Sequence, residues 1–272
     1  MLSAILEYRF MQYAVLASLL ASVVCGIIGV IIVEKKMIML SGGIAHTAYG
    51  GVGLGYLLGF EPIIGAMLFS VISAFGVGYV KRKGGVHTDI IIALFWSLGM
   101  ALGITFVGLM PGYPPDLNSY LFGNILSVKN LDLTMMSVLT VITVVLIVMF
   151  FNDWKAYLFD EQFAKIIGLR TKILEYMLLV LIAFTVVVLI RVAGIILVLA
   201  LLTAPAASAA LISKKLHTRM IISIIFGVIF CFSGLCISYY LNIASGATII
   251  IVSVLTYALI YVVSKVKTKK RI

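Results

Sequence analysis

Residues 173–212 read ILEYMLLVLIAFTVVVLIRVAGIILVLALLTAPAASAALI. Over this run only Glu175 and Arg191 are charged. A single helix needs about 20 apolar residues to cross a bilayer, so the run is about twice that length. Arg191 falls near its midpoint. At a water interface its guanidinium stays hydrated while its stem lies along apolar surface. The run therefore reads as two crossing helices, 173–190 and 192–212, turning at Arg191. A turn sunk below the surface would merge them. Pro205 is expected to kink the second helix, because proline removes a backbone bond. Such breaks persist where protein or a water-filled cavity satisfies the freed carbonyl. The kink serves either a transport pathway or packing alone.

The rest of the chain repeats this theme. Of its 272 residues, 63% are hydrophobic and 11% are charged. A soluble domain carries about 25% charged residues, so this chain is built for a bilayer. Further apolar runs lie at about 11–33, 40–59, 62–80, 88–110, 132–151, 220–241 and 248–264. The expected fold is an all-α, polytopic membrane protein of eight or nine helices, forming a single transmembrane domain over residues 1–272. The first run is followed by Glu34, Lys35 and Lys36 and reads as a retained span.

Cations set the orientation. With the N-terminus outside, Arg9, Lys129 and Arg191 fall on outer connectors and the other seventeen Lys and Arg on inner ones. The positive-inside rule then places the C-terminus in the cytoplasm. The net charge of +10 thus writes topology, and nucleic acid is not an expected partner. The basic tail, 264–272, reads as an anchor to anionic membrane lipid. Cys25, Cys231 and Cys236 lie in apolar runs and fit no disulfide or zinc framework.

Two connectors are informative. Residues 152–172, NDWKAYLFDEQFAKIIGLRTK, place Phe159, Phe163, Ile166 and Ile167 at helical spacing among polar residues. That predicts a short amphipathic helix, capped by Gly168. It either lies on the lipid surface or docks a cytoplasmic partner. The outer connector carries Pro111, Pro114 and Pro115, which stiffen it, and Asp116, which is either solvated or meets an external partner.

Residues 41–59, SGGIAHTAYGGVGLGYLLG, place His46 within an apolar, glycine-rich span. At 3.6 residues per turn, Gly42, Tyr49, Gly50 and Gly53 share its side, while Gly51, Gly55 and Gly59 form a separate ridge. That ridge is a small-x-x-x-small pattern for close helix packing. The glycines near His46 are expected to leave open space beside it. The imidazole either lines an ion pathway or bonds a neighbouring helix. His87, beside Asp89 at the inner end of a span, and His217, in a basic inner connector, are either exit ligands or solvated interfacial residues.

Five segments, in order, resemble the membrane permeases of metal-ion ABC importers, the zinc, manganese and iron group. They are 38–59 with its embedded histidine, HTDIIIALFWSLGMALG (87–103), YLFGNIL (120–126), FDEQFAKIIGL (159–169) and GIILVLALLTAPAASAALIS (194–213). The resemblance implies a type II ABC-importer-like permease in the cytoplasmic membrane. It implies a homodimer, two cytoplasmic ABC ATPase subunits and an extracytoplasmic metal-binding protein. It also implies that the connector 152–172 docks on the ATPase through Asp160, Phe163, Ala164 and Gly168. Many members carry an aspartate four residues before the histidine, and here that position is Gly42. The expected cargo is a divalent metal ion, zinc first for the imidazole, with manganese or iron as alternatives; no tightly bound cofactor is expected.

No G-x-x-x-x-G-K-[ST] phosphate loop occurs, so ATP hydrolysis falls to a partner. Glu34, Glu61, Asp89, Asp132 and Glu175 all sit near run ends. A gradient-driven carrier would place carboxylates mid-span. An ATP-independent carrier or channel, and a permease for a chelate such as cobalamin or a siderophore, are the alternatives.

Overall fold

The computed structural model describes residues 7–83, 88–112, 120–121, 123 and 125–269. Ten α-helices lie among them: α1 (Arg9–Glu34), α2 (Ile38–Leu58), α3 (Pro62–Lys83), α4 (Thr88–Gly108), α5 (Asn130–Met149), α6 (Phe151–Phe159), α7 (Glu161–Ile166), α8 (Thr171–Ile212), α9 (Leu216–Leu241) and α10 (Ser245–Lys269). A single 3₁₀ turn, Ile125–Ser127, precedes α5. Seven of these helices are long and apolar enough to cross a membrane. α2 has the length, but six of its 21 residues are glycine, and it is not among the seven.

The run that opened the sequence reading forms α8, 42 residues broken at Gly194, where φ is 74° and ψ is 163°. Only glycine adopts such a conformation at low cost. The break falls three residues beyond Arg191. Counting α8 as two arms and adding α2, nine membrane-length segments lie side by side. Pro205 lies inside the second arm, where the residues around it keep helical dihedrals.

Ion pairs at the two ends of the bundle fix how α8 runs. Arg82, at the end of α3, pairs with Glu175 in the first turns of α8 at 2.5 Å. Arg219, early in α9, donates to the Ser213 carbonyl just past α8 at 2.6 Å, and pairs with Glu34 at the end of α1. Both ends of α8 therefore lie at one end of the bundle, which also holds the cation clusters. At the opposite end Arg191 pairs with Asp132 in the first turn of α5 at 2.9 Å and with Glu61 at 3.5 Å. So α8 crosses, turns and returns. Gly123 (φ +68°) lies on the turn, and any side chain there would overlap the Ala193 carbonyl.

The core is a dry seam between α1, α2 and α8, with Ile28, Ile31, Ile44, Leu178 and Ile182 fully buried. In lipid, helices gain little from hydrophobic transfer, and close van der Waals contact holds them instead. Small residues supply it. A methyl group on Gly51 would overlap the Gly65 carbonyl of α3, and one on Gly55 would sit 2.7 Å from Pro62 Cα. These two form the α2 ridge. Gly59 does not join it: it is the left-handed cap of α2 (φ 72°), with open space around it. The helix ends before the ridge's third step because the chain must turn into Pro62.

Candidate functional site

α2 runs between α3 and α4 and carries His46 on its α4 side. The imidazole stacks on Trp96, with ring centroids 3.9 Å apart and planes 11° from parallel. Its Nδ1 lies 3.5 Å from Met100 Sδ. Thr47 locks the register, donating from Oγ1 to Gly43 O at 2.7 Å and to Phe95 O at 3.1 Å across the helix pair. His46, Trp96 and Met100 are each only partly buried.

The expected open space beside His46 is absent. A methyl group on Gly50 would sit 2.8 Å from Gly99 O, and one on Gly53 2.5 Å from Gly103 O. These glycines let α2 and α4 touch backbone to backbone. Gly42 differs: a methyl group there would meet Trp96 and Leu199 at ordinary distances, 3.5 and 3.8 Å. Packing does not demand glycine at that position, since a Cβ fits there without displacing its neighbours. Among the described residues no three His, Cys, Asp or Glu side chains converge to hold a metal ion. The arrangement offers one imidazole and one thioether, a donor set for brief contact with a passing ion rather than for retention. Trp96 and Met100 were not singled out from sequence, although Trp96, Gly99, Met100 and Gly103 recur at the spacing of one helix face.

Of the candidate exit residues, Asp89 lies exposed in the first turn of α4 at the basic end, and His87 lies outside the described residues. Asp116, Pro114 and Pro115 also lie outside them, as do Phe122 and Asn124 of the outer segment.

The connector at the basic end forms two short helices, α6 and α7, rather than one. They break at Asp160, which is extended and caps α7, its Oδ1 accepting from the Gln162 and Phe163 amides at 2.8 and 3.1 Å. A serine, asparagine or aspartate in that position ends one helix and starts the next. Gly168 (φ +84°) reverses the chain after α7, and Leu169 N bonds back to Ala164 O at 3.0 Å. Ala164 is fully buried against the bundle, as are Trp154 and Tyr157 of α6. Lys35 lies 3.4 Å above the Tyr157 ring and 3.5 Å from Glu161, which also pairs with Lys165 at 3.0 Å. Burial, then the Glu175 and Glu161 charges, pushes the Tyr157 phenol above its ordinary value, so the ring stays neutral under the ammonium. Phe159, Phe163 and Ile166 point away from all this, at 91%, 52% and 82% exposed.

At the opposite end Arg191 and Glu61 border a polar pocket of about 290 Å³. The Tyr56 and Tyr120 hydroxyls, 3.1 Å apart, close one side of it.

The model of the ABC 3 transport family matches residues 7–264. An uncharacterised membrane protein of Synechocystis sp. is 42% identical over 93% of this chain and 90% of its own length. The manganese transport system membrane protein MntC of Listeria monocytogenes is 33% identical over 94% and 91%. Among solved structures, PsaBC from Streptococcus pneumoniae, in complex with a Fab, superposes with a TM-score of 0.86 at 30% identity, covering 96% of this chain and 94% of that one. The all-helical fold, the membrane-length segments and the sequence likeness agree over nearly the whole chain: it is a multi-pass cell-membrane permease belonging to the ABC 3 transport family.

Proposed function

We propose that this chain is the membrane-spanning subunit of an ATP-driven importer of a divalent metal ion, working as a homodimer with two cytoplasmic ATPase subunits and an extracytoplasmic binding protein. The observation that carries the reading is His46, a polar side chain left partly exposed on the bilayer-embedded face of α2 and α4. Such a group is costly against lipid and is expected to face protein or a water-filled path. A second copy laid against this face would enclose His46, Trp96 and Met100 and complete a narrow route. The orientation that the cations specify puts α6 and α7 in the cytoplasm, where their exposed Phe163 and Ile166 await the ATPase.

Manganese is the ion named for the Listeria relative, and the likeness to it supports manganese as cargo. The donor set favours a second reading. Imidazole and thioether without a carboxylate suit zinc or iron(II) better than manganese, which prefers oxygen. A gradient-driven carrier is disfavoured, since Glu34, Glu61, Asp132 and Glu175 are all ion-paired at the bundle ends.

Uptake into proteoliposomes holding permease, ATPase and binding protein, with the three metals in competition, tests this. Uptake should require ATP, and His46→Ala should lower it at least tenfold at limiting metal. Transport that proceeds without the ATPase would overturn the reading, and an unchanged rate in the variant would remove His46 from the path.

A further inference from the structure

We propose that the basic end carries a binding site for the headgroup of an anionic phospholipid, seated between α6 and the α8–α9 connector. A cavity of about 470 Å³ opens there. Lys155 of α6 faces it from one side, and Lys214, Lys215, His217 and Arg219 from the other. Its one carboxylate, Glu34, is already engaged by Arg219. Among the described residues, the ion pairs at this end take up Lys35, Arg82, Lys165 and Arg219, and none takes up Lys155, Lys214 or Lys215. All three are exposed. Three ammonium groups thus converge on one concavity without a counter-charge.

α9, 26 residues long, starts at Leu216 on the cavity wall. Its free N–H groups and the positive end of its dipole add to the attraction for an anion.

The rest of the lining is apolar: Phe151, Leu158, Phe159 and Leu216. A soluble phosphate has no use for such a floor, and a diacyl lipid does. The site lies where α5 leaves the bilayer. Val148 and Met149, both 69% exposed, lead from the lipid-facing side of α5 directly to Phe151. Acyl chains follow that face while the phosphodiester meets the lysines. Basic pockets between helices at the cytoplasmic surface are a recurrent mode of anionic-lipid recognition. A bound headgroup also ties α6 to the α8–α9 connector and so braces α7, one residue beyond α6. The orientation proposed above makes this an inner-leaflet site.

Native mass spectrometry of the full-length chain in detergent tests the site with dioctanoyl phosphatidylglycerol, with dioctanoyl phosphatidylcholine as the neutral comparison. Each lysine at such a surface contributes about fivefold in affinity, so the Lys214→Gln/Lys215→Gln variant should bind phosphatidylglycerol about 25-fold more weakly. Arg170→Gln/Lys172→Gln removes the same charge from exposed positions outside the cavity and should leave binding within twofold. Phosphatidylcholine should bind at least tenfold more weakly than phosphatidylglycerol. Equal losses in the two variants would reduce the effect to net charge and overturn the proposal. Displacement of the lipid by an equal concentration of inorganic phosphate would overturn it in favour of a free-anion site. Unchanged lipid binding, with loss of ATPase co-purification from the pocket variant, would make the cavity a protein-docking face instead. None of these outcomes depends on which metal is carried.

Discussion

α2 and the α6–α7 connector treat their surfaces in opposite ways. α2 buries its glycines against two neighbours until backbone meets backbone, and even its polar Thr47 is bonded across the helix pair. The connector buries Trp154, Tyr157 and Ala164 on one side and leaves Phe159, Phe163 and Ile166 standing in the open on the other. A helix that closes most of its contacts inside its own chain is a scaffold. A segment that is half complete is a fitting, shaped for something that arrives later.

Breaking the scaffold should produce the largest effect. Gly51→Leu forces a side chain into the Gly65 carbonyl, with no flexible neighbour to yield, and should cost about 3 kcal/mol or more. Folded, detergent-extractable protein should fall to a small fraction of wild type. Normal yield and thermal stability would mean that α2 and α3 are not rigidly packed, and the contrast between the regions would dissolve.

Breaking the fitting should spare the fold. Phe163→Ser with Ile166→Ser should leave the thermal midpoint within a degree or two, yet weaken ATPase association about 30-fold, the size expected for losing an apolar anchor of about 2 kcal/mol. A matching loss of stability would show that these side chains belong to the chain's own core.

The smallest effect sharpens the comparison through pH. Burial raises the Glu161 carboxyl, but its hydrogen bond to Lys165 and the charge of Lys35 outweigh that and hold it below its ordinary value of 4.5. A depressed acid contributes stability above its unfolded value, and the contribution disappears as pH falls through the lower folded one. Proteolytic accessibility of the connector should therefore rise as pH drops below about 4.5. Glu161→Gln should remove that step, while the dense α2 seam stays protected in both. The change is modest because the pair is partly solvated.

The spans were legible because each apolar run carries its length openly, and Arg191 marked the turn in the longest to within three residues. The α2 ridge was legible as far as Gly55, since helical periodicity alone sets which residues share a face. What failed depended on neighbours far along the chain. Gly50 and Gly53 look like free space until Gly99 and Gly103 are set against them, and the Trp96 and Met100 that frame His46 lie 50 and 54 residues away. Gly194 itself was not singled out beside Arg191, for another reason. Proline removes one bond that a neighbour or a bent axis absorbs, whereas glycine alone permits the dihedral that reverses the chain.

That reversal acts as a parity bit. As one straight rod, α8 would extend about 63 Å, twice the hydrocarbon thickness. Its single left-handed residue turns one long passage into two, so everything after it is delivered to the face where α8 began. α9 and α10 owe their sidedness to a dihedral angle at one glycine. A chain that failed to turn there would present the same helices, with the same sequence, to the wrong compartments.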